Sequence, residues 1–104
     1  MLGKLEETIL LATLRAGEKA VPSSIHGVMV ESVQPGEREP AFGAVYTTLA
    51  RMSDKGLLST GTMTDEKGRA RKTFTVTAQG RRALDASLQM TKRLGGFVLA
   101  GAVA

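Results

Sequence analysis

The fold is decided by residues 42–58, which read FGAVYTTLARMSDKGLL. Gly56 predicts the end of a helix here, because glycine readily takes the left-handed conformation that closes a helix. Lys55, just before it, suits the negative end of the helix dipole. The apolar residues recur at helical spacing and predict one inward stripe, made of Phe42, Val45, Leu49 and Met52.

The opposite face of this helix is small and hydroxyl-bearing at its start and basic further on. Small residues permit close approach to DNA, and hydroxyl and guanidinium groups supply hydrogen bonds to it. The pattern fits an ordinary amphipathic helix with a solvated outer face equally well, since binary pattern by itself does not define a site. The DNA-facing residues predicted on this helix are Ala44, Tyr46, Thr47, Thr48 and Arg51, with Tyr46 and Thr48 on the two flanks.

Length and composition narrow the class of protein. The chain has 104 residues, which argues for one domain, and it contains no Cys and a single histidine, His26, which we expect on the surface. It has no nucleophile–histidine–carboxylate set and no Gly-rich phosphate loop, so we predict no catalytic residue, no metal ligand and no cofactor. The opening residues do not resemble a secretory signal, and the apolar end, 95–104, is shorter than the roughly 20 residues that span a bilayer. We therefore expect a cytoplasmic protein with no membrane partner.

The charge is unevenly placed along the chain. The net charge is +4, of which residues 1–40 contribute −2 and residues 41–104 contribute +6. Between Lys67 and Arg82 there are six basic residues and no acidic one. Such an asymmetry indicates a face that meets a polyanion. A basic surface that serves only solubility is the alternative.

Two helices are predicted before the central one. The first, roughly Lys4 to Ala16, ends at Gly17 and is apolar around most of its girth, so it must be covered on more than one side. One side can meet its own core and another a second subunit; full burial inside a monomer is the alternative. Pro22-Ser23-Ser24 predicts hydroxyl caps for a second helix that runs to about Val33. Helix, connection over residues 34–40 and amphipathic helix is the plan of a helix-turn-helix.

A β-hairpin is predicted after the central helix. Residues 57–63 and 71–76 suit strands around a charged turn at 64–68, with Phe74 and Val76 on one face and Thr73 and Thr75 on the other. A basic hairpin directly after a helix-turn-helix is a wing, which lies along the phosphate backbone or in the minor groove. The DNA contacts predicted on the wing are Arg69, Arg71 and Lys72.

The last helix is predicted to join two subunits. Thr77 caps it, and Gly95-Gly96 should weaken or break it. The apolar tail beyond is either a frayed end or a subunit contact, and exposed apolar groups favour contact. The chain thus divides into a DNA-binding domain, 1–76, and a C-terminal dimerisation helix with its apolar tail, 77–104. The dimerisation residues predicted on the first and last helices are Leu5, Leu10, Leu14, Leu84, Leu88 and Leu94.

A family resemblance is carried by GAVYTTLARM (43–52), KGL (55–57), GRARKTF (68–74), TAQGR (77–81) and the opening LEETILL (5–11). With these segments the chain resembles the PadR family of bacterial transcriptional regulators, of the short-tailed type, from Leu2 to Leu94. The resemblance implies an α+β, mostly helical, winged helix-turn-helix fold with three helices, a two-stranded wing and one C-terminal helix. It also implies a dimer built from the first and last helices, repression of nearby genes, and contact between Tyr46 and the DNA backbone.

We therefore predict a regulator that binds specific double-stranded DNA, a repressor acting as a homodimer on a two-fold operator. A winged helix used only for protein contacts is the alternative, although protein interfaces usually deplete lysine. The resemblance also allows a small apolar effector between the subunits. The chain offers one Tyr, three Phe and no Trp to line such a site.

Overall fold

The computed structural model describes residues 2–103, and it describes side-chain surroundings within residues 2–95. The elements in chain order are α1 (Lys4–Ala16), α2 (Pro22–Glu31), α3 (Phe42–Asp54), β1 (Leu58–Thr64), β2 (Ala70–Val76) and α4 (Ala78–Val103). The predicted order of three helices, a two-stranded wing and a C-terminal helix is confirmed. Within the described residues, no helix is both long enough and apolar enough to cross a membrane.

The core lies where α1, α2 and α3 meet the inner face of β2 and the first turns of α4. Its fully buried side chains come from four of these elements, because each contributes one apolar stripe at its own period. Those on α3 belong to the predicted inward stripe. The fully buried apolar side chains of the core are Ile9, Leu10, Ile25, Val45, Leu49, Met52 and Phe74.

The central helix ends as its sequence predicts. Gly56 takes a φ of 82°, in the left-handed region. Its N–H donates to the Ser53 carbonyl, and the Leu57 N–H donates to the Met52 carbonyl, each at 3.0 Å. These two bonds form a Schellman motif, which satisfies carbonyls that the end of a helix would leave open.

The segment around Gly56, before the hairpin, contacts the segment from Thr77 to Gly80, after it. The Thr77 hydroxyl donates to the Gly56 carbonyl at 2.7 Å and accepts from the Gly80 N–H at 2.9 Å, which confirms Thr77 as the cap of α4. A Cβ at Gly80 would collide with the backbone of Leu57 and with Val76. The end of α3, the start of β1 and the start of α4 therefore form one tight joint, named here the α3–α4 joint.

The hairpin pairs β1 with β2 in antiparallel register, from Leu58 opposite Val76 to Thr64 opposite Ala70. A contact that the sequence did not predict extends it. Ala20, between α1 and α2, exchanges two backbone hydrogen bonds with Phe74, at 2.8 and 3.2 Å. A single residue has no periodicity, so this bridge carries no sequence signal.

Two details of the predicted elements need correction. The second helix ends at Glu31, not at Val33, and its N-cap is Val21, with no hydroxyl cap. Pro22 stands at the first helical position, where its missing N–H costs nothing. Thr73 is buried beside Gly61, although alternation placed it on the open face of the strand.

The leucines predicted to join subunits divide into two groups. Leu10 is 0% exposed and Leu84 is also buried, so both belong to the core of the subunit. The alternative of burial within a monomer, weighed for the first helix, is therefore correct for Leu10, because α1 is covered by α2, α3, β2 and α4 together. Leu14 is half-buried and packs against the core. The exposed members of the predicted set are Leu5, Leu88 and Leu94.

The last helix extends beyond the rest of the molecule. The sequence predicts that Gly95-Gly96 weakens or breaks this helix, but the helix continues without a break to Val103. Its first half is held by the core and by Ser87, whose hydroxyl donates to a Glu7 carboxylate oxygen at 2.6 Å. The molecule is consequently elongated, 59 Å along its longest axis and 20 Å along its shortest. The side chains of the apolar tail from Gly96 onward lie outside the described residues.

Candidate nucleic-acid interface

The outer face of α3 exposes the small, hydroxyl-bearing and basic residues that the sequence predicts there. Gly43, Ala44, Thr47 and Arg51 are exposed. Apart from its chain neighbours and the nearby backbone of α3 itself, no described atom lies within 4 Å of the point where a Cβ on Gly43 would stand. The first turns of α3 thus offer a shallow surface with one hydroxyl, followed by a guanidinium one turn later.

Thr48 does not belong to this surface. It is 5% exposed, and its hydroxyl donates to the Ala44 carbonyl at 2.8 Å. A helical threonine can satisfy its hydroxyl in this way on the carbonyl one turn earlier, which lets its methyl group face the core. The prediction that Thr48 contacts DNA is therefore corrected, and Thr47 is the exposed threonine of the pair.

Two aromatic side chains flank the outer face. Tyr46 is exposed, as predicted, and its ring lies beside that of Phe42, with the ring centroids 6.5 Å apart. Phe42 was predicted in the inward stripe, but it is 46% exposed. The reason is its position at the first residue of α3, where the helix has only begun to pack. Helical periodicity assigns a residue to a face and cannot tell how far along the helix the core extends.

The tip of the wing is organised by Asp65. Its Oδ1 accepts hydrogen bonds from the backbone N–H groups of Lys67 and Arg69, each at 2.9 Å. Its Oδ2 lies 2.9 Å from Nε of Arg69. These bonds, led by that from the Arg69 backbone, hold the pKa of Asp65 below its ordinary value. The turn is therefore fixed by a carboxylate that the sequence analysis did not single out.

The cations of the wing are placed by neighbours. Arg71 has one guanidinium nitrogen 3.7 Å from the Asp65 carboxylate and another 3.3 Å from the Ser23 hydroxyl on α2. Lys72 lies over the ring of Phe74, with its ammonium 5.7 Å from the centroid. The wing therefore presents three positive charges whose positions are set in the isolated subunit, and Arg71 ties the wing to the start of α2.

A second concave surface lies between α1 and α4. It is a cavity of about 450 Å³. Glu6 and Lys55 form an ion pair at its edge, at 3.0 Å. The pKa of Glu6 is lowered, first by the Gly3 N–H that its carboxylate accepts and then by Lys55. The other residues that line the cavity are Leu2, Leu57, Gln79, Ala83, Ala86, Ser87 and Met90.

A helix-turn-helix followed by a two-stranded wing and a long C-terminal helix defines a winged-helix protein. Residues 25–86 match the model of the transcriptional regulator PadR-like family, and the chain belongs to that family. Members of this family are DNA-binding regulators of transcription and are not enzymes. The matched segment contains α3 and the wing, where the predicted DNA contacts lie.

Solved structures show the same fold. A PadR-like transcription factor from Bacteroides fragilis is 26% identical, with a TM-score of 0.70, over 96% of this chain and 89% of that one. A PadR-like regulator from Bacillus cereus is 20% identical, with a TM-score of 0.76, over 96% and 92% of the two chains. A PadR family regulator from Clostridium difficile is 20% identical, with a TM-score of 0.74, over 98% and 100%. No curated protein sequence matches the chain.

Proposed function

We propose that this protein is a repressor that binds a specific two-fold DNA operator as a homodimer in the cytoplasm. The observation that carries the proposal is the outer face of α3. It is open and nearly flat at Gly43 and Ala44, offers the Thr47 hydroxyl and methyl, and ends in the positive charge of Arg51. A recognition helix needs such a surface to approach base edges closely.

The proposal gives the exposed residues distinct roles. Ala44 and Thr47 lie in the first turns of α3 and would meet base edges, where a threonine methyl can pack on a thymine methyl. Tyr46 would donate its hydroxyl to a phosphate from the flank of the helix. Arg51 would add a charged contact further along.

The wing would hold the phosphate backbone. Arg69, Arg71 and Lys72 are cations on a hairpin, suited to phosphates of any sequence. For two of them, the Asp65 carboxylate occupies the place that a phosphate oxygen would take. DNA binding would therefore exchange one anion for another at the same guanidinium groups.

The dimer would be built by the exposed leucines of α1 and α4. Leu94 is 59% exposed on the side of α4 that continues the buried face of Leu84 and Ser87. A second copy is the occupant that a self-complementary apolar helix fits best. Two recognition helices about 34–36 Å apart would then match successive major grooves.

A small apolar effector would bind in the cavity between α1 and α4, whose volume falls within the usual size of small-molecule sites. The cavity shares these two helices with the proposed dimer surface. Its walls are mostly aliphatic. Thermal unfolding of the protein with a panel of phenolic and cationic aromatic compounds would test it, and a uniform midpoint would contradict ligand control.

The proposed function is tested by selecting duplexes from a random library with the full-length protein. We expect enrichment of a two-fold sequence that the protein binds at least a thousand-fold more tightly than scrambled DNA, the usual lower range for specific regulators. Equal affinity for every duplex, or no binding at low salt, would favour the winged helix that serves protein contacts only.

A further inference from the structure

Phe42 is a large apolar side chain placed where its own subunit does not bury it. It is the first residue of α3 and directly precedes Gly43 on the open face of the helix. Nearly half of the surface of the residue meets solvent. An exposed apolar side chain at one point of a surface needs no explanation in general. The contacts that hold the Phe42 ring in place, however, do need an explanation.

The ring of Phe42 is fixed by His26. A carbonyl oxygen only accepts hydrogen bonds, so Nε2 of His26 donates to the Pro40 carbonyl, at 2.8 Å. This bond pins the imidazole of α2 against the connection that leads into α3. The imidazole then meets the Phe42 ring edge to face, with the centroids 5.5 Å apart and the planes at 82°. Such a T-shaped arrangement is favourable for two aromatic rings.

The Tyr46 ring, one turn further along α3, is a second aromatic neighbour, with its centroid 6.5 Å from that of Phe42. Phe42 thus has two aromatic neighbours and lies outside the core. His26, expected to be a simple surface residue, is half-buried and serves this arrangement. The outcome is a preorganised apolar contact group on the first turn of the recognition helix, next to the residues proposed to meet base edges.

The chemistry of a phenyl ring limits what it can recognise on DNA. It neither donates nor accepts the hydrogen bonds that phosphates and polar base edges offer. In the major groove the apolar group that a base pair presents is the C5-methyl group of thymine. We propose that Phe42 determines specificity by packing on the methyl group of a thymine in each half-site, with His26 as its positioning residue. This inference rests on the proposed function, in which α3 reads the operator.

The test removes the methyl group from the DNA. In duplexes enriched by the wild-type protein, each thymine is replaced in turn by deoxyuridine, which pairs identically but lacks the methyl group. We expect in each half-site a position at which the replacement weakens binding about four-fold, as for the loss of one buried carbon group, and at which the penalty depends on Phe42. In Phe42→Ala the replacement at that position should change nothing, whereas a thymine met by Thr47 would keep its penalty. Since the first measurement uses wild-type protein, no folding defect can produce it.

Two variants separate the contact from its support. His26→Ala keeps the phenyl ring but frees it, so the uracil penalty should shrink while specific binding remains. Glu31→Ala changes an exposed residue at the C-terminal end of α2 and should keep the full penalty. If, at each thymine, the uracil penalty is the same for the wild-type protein and for Phe42→Ala, the inference is overturned and the proposed function still stands. If no duplex is enriched at all, the proposed function fails first and the inference fails with it.

Discussion

Gly43 is a glycine that its own subunit does not require. Its φ is not positive and the position of a Cβ is open, so alanine would fit without strain. Glycine within a helix costs roughly 1 kcal/mol relative to alanine. On the face of α3 proposed to meet DNA, such a glycine lets the helix approach a ligand closely.

We therefore expect Gly43→Ala to move stability and binding in opposite directions. The free energy of unfolding should rise by about 0.5–1 kcal/mol, from urea denaturation. Affinity for the selected operator should fall, because the added methyl group keeps the helix from the DNA. Gly27→Ala, at an equally open position in α2, should raise stability and leave affinity unchanged. Unchanged operator affinity in Gly43→Ala would remove α3 from the interface.

Thr47 and Thr48 form a matched pair with opposite surroundings. Thr47→Ala should cost on the order of 1–3 kcal/mol on the operator and little on scrambled duplex, since it removes a contact to base edges. Thr48→Ala should instead lower the free energy of unfolding, by about 1 kcal/mol, through loss of a buried hydrogen bond and methyl group. Titrations on both duplexes and urea denaturation measure the two effects. Equal losses for Thr47→Ala on the two duplexes would contradict its role.

For single residues, the sequence predicts the helix face of a side chain better than its burial and its contacts. It placed Ala44, Thr47 and Arg51 correctly on the outer face of α3. It misplaced Phe42 and Thr48, for related reasons. The core ends before the first residue of the helix, and a hydroxyl can turn inward when a carbonyl one turn earlier accepts it. Both facts depend on contacts that periodicity does not contain.

Among the elements, the wing depends on the ionised form of Asp65. Because its pKa is lowered, the carboxylate stabilises the folded wing fully above its ordinary pKa of 3.8 and loses that effect as the pH falls through the lowered value. The protection factors of the Lys67 and Arg69 amides, which correct for the intrinsic exchange rate at each pH, should therefore fall on strong acidification. At neutral pH, Asp65→Ala should lower the same protection factors and accelerate exchange directly.

Glu66→Ala is the matched control for the wing. It removes the same charge from the neighbouring, exposed residue and should leave exchange at the wing tip unchanged. If both variants accelerate exchange equally, net charge and not the hydrogen bonds of Asp65 orders the turn.

The α3–α4 joint is the element-scale feature with the least tolerance. Gly80→Ala places a methyl group against the Leu57 backbone, which cannot give way as a flexible side chain could. We expect it to lower the free energy of unfolding by about 1–3 kcal/mol or more, the usual cost of overpacking. Urea denaturation beside Gly95→Ala, which should be stabilised, gives the comparison. A Gly80→Ala protein as stable as wild type would mean that the joint relaxes.

Element boundaries followed sequence signals where one residue carries the signal. Gly17, Gly56 and Thr77 each mark a helix end by their own backbone or hydroxyl chemistry. Of the weakening or break predicted at Gly95-Gly96, the break does not occur, because glycine raises the free energy of a helix and does not block it. The bridge at Ala20 arises only when α1, α2 and β2 come together.

At the scale of the whole molecule, the proposed dimer is tested by measuring the oligomeric state of two leucine variants. Leu94→Glu should convert a dimer into a folded monomer of 11.0 kDa in light scattering, with a cooperative thermal transition retained. Leu84→Glu should instead unfold the subunit, because it buries a charge in the core. A dimer that persists in Leu94→Glu at micromolar concentration would exclude this side of α4 as the contact.

The sequence predicted the architecture of the molecule but not which of its leucines face out. Leu10 and Leu94 are equally apolar, and only the coverage of α1 by four other elements distinguishes them. Interface and core use the same side chains, so a pattern of apolar residues cannot assign them without the tertiary structure.

The α3–α4 joint fixes the start of α4 against the end of α3. The Thr77 hydroxyl, which bonds to the Gly56 carbonyl and to the Gly80 N–H, joins the two helices directly, although the hairpin separates them in sequence. In a dimer joined through α4, any change in the crossing angle of the two long helices must swing both copies of α3. Over the 26 residues of α4, about 39 Å at 1.5 Å per residue, a tilt of about 5° displaces one end by roughly 3 Å. In such a dimer, the distance between the two copies of α3 would thus be set by an angle far from the proposed DNA contacts.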